Sequence, residues 1–126
     1  MEIHKSAEDY LETILKLQMQ NGQVRSIDIV AEMHFSKPSV SVAMKKLRES
    51  GHVCMDESGL LTLTEEGQAI AQRIYERHQV LTQMLVALGV ENEIATEEAC
   101  KIEHDISDST FEKIKAHFWN KIPGNN

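Results

Sequence analysis

Residues 36–67, SKPSVSVAMKKLRESGHVCMDESGLLTLTEEG, decide the reading of the fold. Ser36 and Lys37 lead into Pro38, a residue suited to the first turn of a helix, where its missing N–H is no loss. Val40, Ala43, Met44 and Leu47 then recur at helical spacing as far as Ser50 and Gly51. Val53-Cys54-Met55 and Leu60-Leu61-Thr62-Leu63 flank Asp56-Glu57-Ser58-Gly59, the pattern of a short β-hairpin with glycine in its turn. Thr64 caps the helix that follows.

Upstream, Ser6 opens an amphipathic helix bearing Tyr10, Leu11, Ile14, Leu15 and Leu17, which ends near Asn21-Gly22. Ser26 caps a short second helix, Ile27 to Met33, and His34-Phe35-Ser36-Lys37 breaks the pattern before the proline helix. Helix, break and helix alone are common in all-α proteins. The hairpin directly after them is the wing that makes the order a winged helix-turn-helix. Downstream, a long helix runs from Glu65 to Leu88, a fifth is capped by Thr96 and extends to about Asp105, and a sixth is capped by Ser107 or Ser109. The sixth carries Phe111, Ile114, Phe118 and Trp119 and stops before Pro123. The expected fold is mainly α, with a winged helix-turn-helix over 1–67 and a helical module over 68–126.

The chain has 126 residues and a formal charge of −7, which is unusual for a partner of nucleic acid. Position resolves the conflict. Residues 91–112 hold eight acids against Lys101, a local −7, so the rest of the chain sums to zero. Ser36 to Ser50 holds Lys37, Lys45, Lys46 and Arg48 against Glu49, a local +3. Cys54 and Cys100 follow no paired zinc pattern and fit a reduced cytoplasmic protein. No apolar run approaches the length of a membrane span, and Met1 to Ser6 lacks a basic stretch followed by an apolar one, so neither insertion nor export is expected.

An α-helix fits the major groove, where residues near its N-terminus touch bases and flanking Lys, Ser and Thr hold phosphates. Ser36, Lys37, Pro38, Ser39, Ser41, Lys45 and Lys46 of the proline helix are the candidates, with Pro38 and Ser39 nearest the base edges. Spacing alone is equally compatible with a solvated helix face, and the wing tips the balance to duplex DNA. A basic surface rich in aromatics, which single strands and RNA require, is absent.

Three further spacings concern metal. Asp9 and Glu12 are one turn apart on the first helix, and His78 stands alone in the fourth. Cys100, Glu103 and His104 are i, i+3 and i+4, which on one continuous helix put a thiol, a carboxylate and an imidazole on one face. Singly, each has an ordinary role: a first-turn acid, a satisfied histidine, a small buried cysteine. Together the donor types suit a divalent first-row transition ion better than Ca²⁺ or Mg²⁺, which want oxygen alone.

Ala7 to Glu12 (AEDYLE), Ser36 to Ser41 (SKPSVS), Leu63 to Gly67 (LTEEG), Arg77-His78 and Glu98 to His104 (EACKIEH) together resemble the DtxR/MntR family of iron- and manganese-dependent repressors. The resemblance runs over nearly the whole chain, up to Asn120–Gly124. It implies a homodimer formed by the last three helices, Mn²⁺ or Fe²⁺ as corepressor, a palindromic operator and metal-uptake genes as targets. It also implies that Asp9, Glu12 and His78 match ligand positions of the manganese branch, and Glu103 and His104 ligands common to both branches. Cys100 departs, standing where the manganese branch has a carboxylate and the iron branch a cysteine. Thr82 and Thr96 replace the acid and histidine of the iron branch's second site. The chain is expected to be a short form without the SH3-like domain of longer members.

Two rivals follow from the same residues. One keeps the winged helix but switches it by oxidation of Cys100 or Cys54. The other is a metallo-hydrolase, for which no nucleophile or substrate pocket can be named.

Overall fold

The computed structural model describes residues 5–118. Helix α1, Lys5–Asn21, buries Leu11, Ile14, Leu15 and Leu17 along one side. Ser6 is inside it rather than capping it. Helix α2, Ser26–Met33, is capped one residue earlier than the sequence suggests, because the Asp28 carboxylate accepts the Arg25 backbone N–H at 2.8 Å. It closes on His34, held in the left-handed region at φ 59° with its N–H donating to the Val30 carbonyl at 3.0 Å.

Helix α3, Lys37–Glu49, begins as expected. The Ser36 hydroxyl accepts the Ser39 N–H at 3.2 Å, and Pro38 occupies the first turn. Val40, Met44 and Leu47 are its buried face. Strands β1, Val53–Met55, and β2, Leu61–Leu63, pair antiparallel with Val53 opposite Leu63. Asp56 folds the turn, its carboxylate accepting the N–H groups of Ser58 at 2.8 Å and Leu60 at 2.9 Å. The Arg25 side chain donates to the Ser58 carbonyl, tying the wing to the start of α2.

Helix α4, Glu65–Ala87, starts behind Thr64, whose hydroxyl accepts the Gly67 N–H at 3.1 Å and donates to the Gly51 carbonyl at 2.7 Å. A Cβ at residue 67 would lie 2.0 Å from the His52 carbonyl oxygen, so the glycine of the Thr-Glu-Glu-Gly run is a packing requirement. The chain divides into two compact units, 1–72 and 73–126, with the division inside α4.

In the second unit, Val80 and Phe111 form a small core flanked by Ile106 and Ile114. Helix α5 is Asn92–Ile102 and α6 is Asp108–Phe118. Here the expectation for the fifth helix fails. Thr96 is interior to it, and its hydroxyl donates to the Asn92 carbonyl one turn back at 2.9 Å instead of accepting an N–H. Glu103 is the C-terminal cap and His104 lies in the turn beyond. Ser107 caps α6 through the Thr110 N–H at 3.1 Å. Trp119 and the Pro123 tail lie outside the described residues. No helix among the described residues is long and apolar enough to cross a membrane.

Candidate metal centre and nucleic-acid interface

The turn after α5 divides the expected one-face triplet. Its members gather around Glu103, whose side chain is fully buried, and not along a helix stripe. Glu103 Oε2 faces His78 Nδ1 at 3.0 Å, and Oε1 faces His104 Nε2 at 3.5 Å. Cys100 Sγ is 3.6 Å from the same His78 nitrogen. Cys100, in the last turn of α5, is exposed and leaves one side of the group open to solvent.

His78 Nδ1, Cys100 Sγ and a Glu103 oxygen all lie within 4.8 Å of one another. Bonds of roughly 2.0–2.3 Å to a central transition ion would separate adjacent donors by about 3–4 Å, so the three fit a shared cation with small adjustments. The buried Glu103 Oε1 accepts no hydrogen bond among the described residues, which leaves a carboxylate lone pair for a ligand bond. Hydrogen bonds to Cys100 and to Glu103 push His78 from 6.5 up to about 10, against the burial that lowers it. In the metal-free protein the imidazolium is therefore the cation that balances this site.

Sequence reasoning missed what holds Glu103 in place. Arg77, beside His78 on α4, is 4% exposed and donates to the backbone carbonyls of Glu103 at 3.0 Å and Ile106 at 2.8 Å. It also pairs with Asp108 at the start of α6 and stacks over Phe111 at 5.3 Å. One guanidinium thus fixes the α5–α6 turn from which Glu103 and His104 project. An arginine next to a candidate ligand is a faint sequence signal, since its hydrogen-bond partners are 26 to 31 residues away.

Asp9 and Glu12 belong to α1 in the first unit, Asp9 half-buried and Glu12 buried. Glu8, which no spacing in the sequence singles out, is buried as well. On α3, Ser36, Lys37, Pro38, Ser39, Ser41, Lys45 and Lys46 are all exposed, as is Arg48.

Residues 2–61 match the family model described as the iron dependent repressor N-terminal DNA binding domain. Residues 64–120 match the iron dependent repressor metal binding and dimerisation domain. The transcriptional regulator MntR of Salmonella typhimurium is 36% identical over 109 residues, covering 86% of this chain and 69% of that one. The chain belongs to the iron-dependent repressor family.

Two solved structures are similar over most of this chain. The manganese regulator SloR superimposes with a TM-score of 0.79 at 30% identity, over 94% of this chain and 54% of that one. A manganese-dependent transcriptional repressor in complex with manganese gives a TM-score of 0.80 at 31% identity, over 88% and 51%. The chain spans about half the length of these two structures. Its family is one of metal-responsive DNA-binding repressors rather than enzymes, which removes the hydrolase reading. The cysteine-redox alternative receives no support from these relatives.

Proposed function

We propose that the chain is a manganese-activated repressor that acts in the cytoplasm as a homodimer on a palindromic operator and controls metal-uptake genes. The observation that carries the reading is the meeting of His78, Cys100 and buried Glu103 within 4.8 Å. His104 joins them through Glu103, and Asp9 and Glu12 enter the ligand set on the family pattern of α1. When bound, the cation supplies the positive charge that draws carboxylates, imidazoles and thiolate into one set.

The protein's own residues do the rest. Arg77 holds the turn so that Glu103 offers its carboxylate without reorganisation. His78 gives up its proton to become a neutral donor. Val86, Leu88 and Ile94, exposed apolar side chains of the second unit, favour burial against a second copy. In such a dimer the two α3 helices need a separation of ~34 Å, one duplex turn, to read two half-sites. Metal activates by binding the DNA-competent arrangement more tightly than the others.

Similarity to manganese regulators and the carboxylates of α1 favour Mn²⁺. The Cys100 thiolate is the specific observation that favours Fe²⁺ instead. Gel-shift titration with DNA from the promoters of metal-uptake genes, with chelator, Mn²⁺ or anaerobic Fe²⁺, tests both. Mn²⁺ at micromolar concentration is expected to restore binding lost to chelator; binding indifferent to chelator would sink the reading. A Cys100→Glu variant is expected to widen the preference for Mn²⁺ over Fe²⁺.

A further inference from the structure

Val42 is an anomaly on α3. The buried stripe of that helix is Val40, Met44 and Leu47, and Val42 points away from it with 54% of its surface exposed. Its neighbours one turn before are Pro38 and Ser39, and one turn after are Lys45 and Lys46, all exposed. A β-branched residue there adds nothing to helix propensity, and alanine would serve the helix better. Pro38 is the other exposed apolar residue beside it on α3. With Ser39 and Lys46, and with Ala7 and Tyr10 of α1, these two line a shallow cavity of about 480 Å³ between the two helices.

The charge around the valine indicates what covers it. Lys37, Lys45, Lys46 and Arg48 make the stretch from Ser36 to Ser50 the basic part of an acidic chain, a surface complementary to phosphate. Between phosphate-binding side chains, an apolar group facing the major groove meets one apolar feature of the base edges, the C5-methyl of thymine. Valine can neither donate to nor accept from a base, so its contribution to readout is that contact alone.

We propose that Val42 is a specificity-determining residue that reads a thymine by its methyl group, once in each half-site. The inference rests on the DNA-binding reading above and adds to it a base identity and the side chain that selects it. Ser39 and the lysines hold the strand, and Val42 discriminates thymine from the other bases at one position.

The test uses the full chain loaded with Mn²⁺. A preferred duplex is selected from a randomised library, and each of its thymines is then replaced by uracil, which removes the methyl and leaves the pairing intact. At one position per half-site the replacement is expected to weaken binding about fourfold, the worth of one buried methyl group. Val42→Ala, which changes both protomers, is expected to bind the all-thymine duplex about sixteenfold more weakly, fourfold for each half-site, and to show no uracil penalty at that position. Because Val42 is exposed, the variant should keep the circular dichroism and Mn²⁺ affinity of the parent. A uracil penalty that survives Val42→Ala, or none anywhere, overturns this inference and leaves the repressor reading standing. A library that yields no preferred duplex overturns the repressor reading, and this inference with it.

Discussion

Helix α3 of the first unit and the α5–α6 turn of the second treat charge in opposite ways. On α3 the cations Lys37, Lys45, Lys46 and Arg48 are exposed, and no structural bond among the described residues depends on these lysines. Around the α5–α6 turn the charged groups are inside: Glu103 is 0% exposed and Arg77 4%. Solvated charges contribute little to stability and remain available to a polyanion. Buried charges must be matched where they stand, and removing one partner leaves the other desolvated and unpaired. The first unit therefore carries a surface that can change without harm to the fold. The second carries a site whose chemistry and stability are the same set of bonds.

The largest effect should come from Arg77→Met. It removes donors from the Glu103 and Ile106 carbonyls and ends the contact with Phe111. A loss of about 3 kcal/mol in urea unfolding is expected, since bonds to charged donors are worth roughly 1.5–3 kcal/mol each. Metal affinity should fall about tenfold, as for other groups that orient a ligand. If stability and affinity both survive, the buried network is not what sets Glu103.

Next is Glu103→Gln, which keeps the shape and deletes the charge. Titration calorimetry should show Mn²⁺ binding weakened at least about a hundredfold, because the carboxylate shared by His78 and His104 is gone. An unchanged affinity would remove Glu103 from the ligand set and with it the contrast drawn between the units.

Much of the first unit was legible because its signals are local. Ser36 with Pro38, Asp56 to Gly59, and Thr64 with Gly67 each set structure within three or four residues of themselves. The second unit misled at the same level. Thr96 has the chemistry of a cap, yet Glu91 begins α5 without any side-chain cap, so the helix start leaves no mark in the sequence. The end differs as well: Glu103 and His104 fall past α5, and the expected helix face becomes a turn. The residues Cys100, Glu103, His104 and His78 could be named from type and spacing. That Arg77 fixes the turn could not, because its bonds join α4 to residues far along the chain.

The pH response separates the units more gently. The folded pKa of His78 is raised to about 10 from 6.5. Its contribution to the stability of the chelated protein is fully present below pH 6.5 and is lost as pH rises through about 10. Metal competes with that proton. Apparent Mn²⁺ affinity should therefore rise with pH in this window, by about tenfold per unit for the His78 proton and more steeply where the Cys100 thiol also gives up its proton to ligate, with between about one and two protons released per site. Calorimetry in buffers of different ionisation enthalpy reads the proton directly. A flat pH profile would mean that Cys100 and Glu103 do not hold an imidazolium.

The smallest effect belongs to the first unit, at His34 between α2 and α3. Its φ of 59° places an L-residue in the left-handed region, at a cost of roughly 1–2 kcal/mol. Glycine adopts that conformation without the steric penalty but loses more backbone freedom on folding, by roughly 0.5–1 kcal/mol. The difference leaves His34→Gly more stable by about 0.5–1 kcal/mol, seen as a small rise in the thermal midpoint. Because the imidazole is exposed and the Val30 carbonyl bond is made by the backbone, nothing else should be lost. Mn²⁺ affinity in particular should not move, since no ligand of the second unit depends on this turn. A destabilised variant would show that the His34 side chain holds the turn between the two helices. The imidazole would then join Asp56 and Arg25 as exposed first-unit side chains on which local structure depends, as the α5–α6 turn depends on Arg77 in the second.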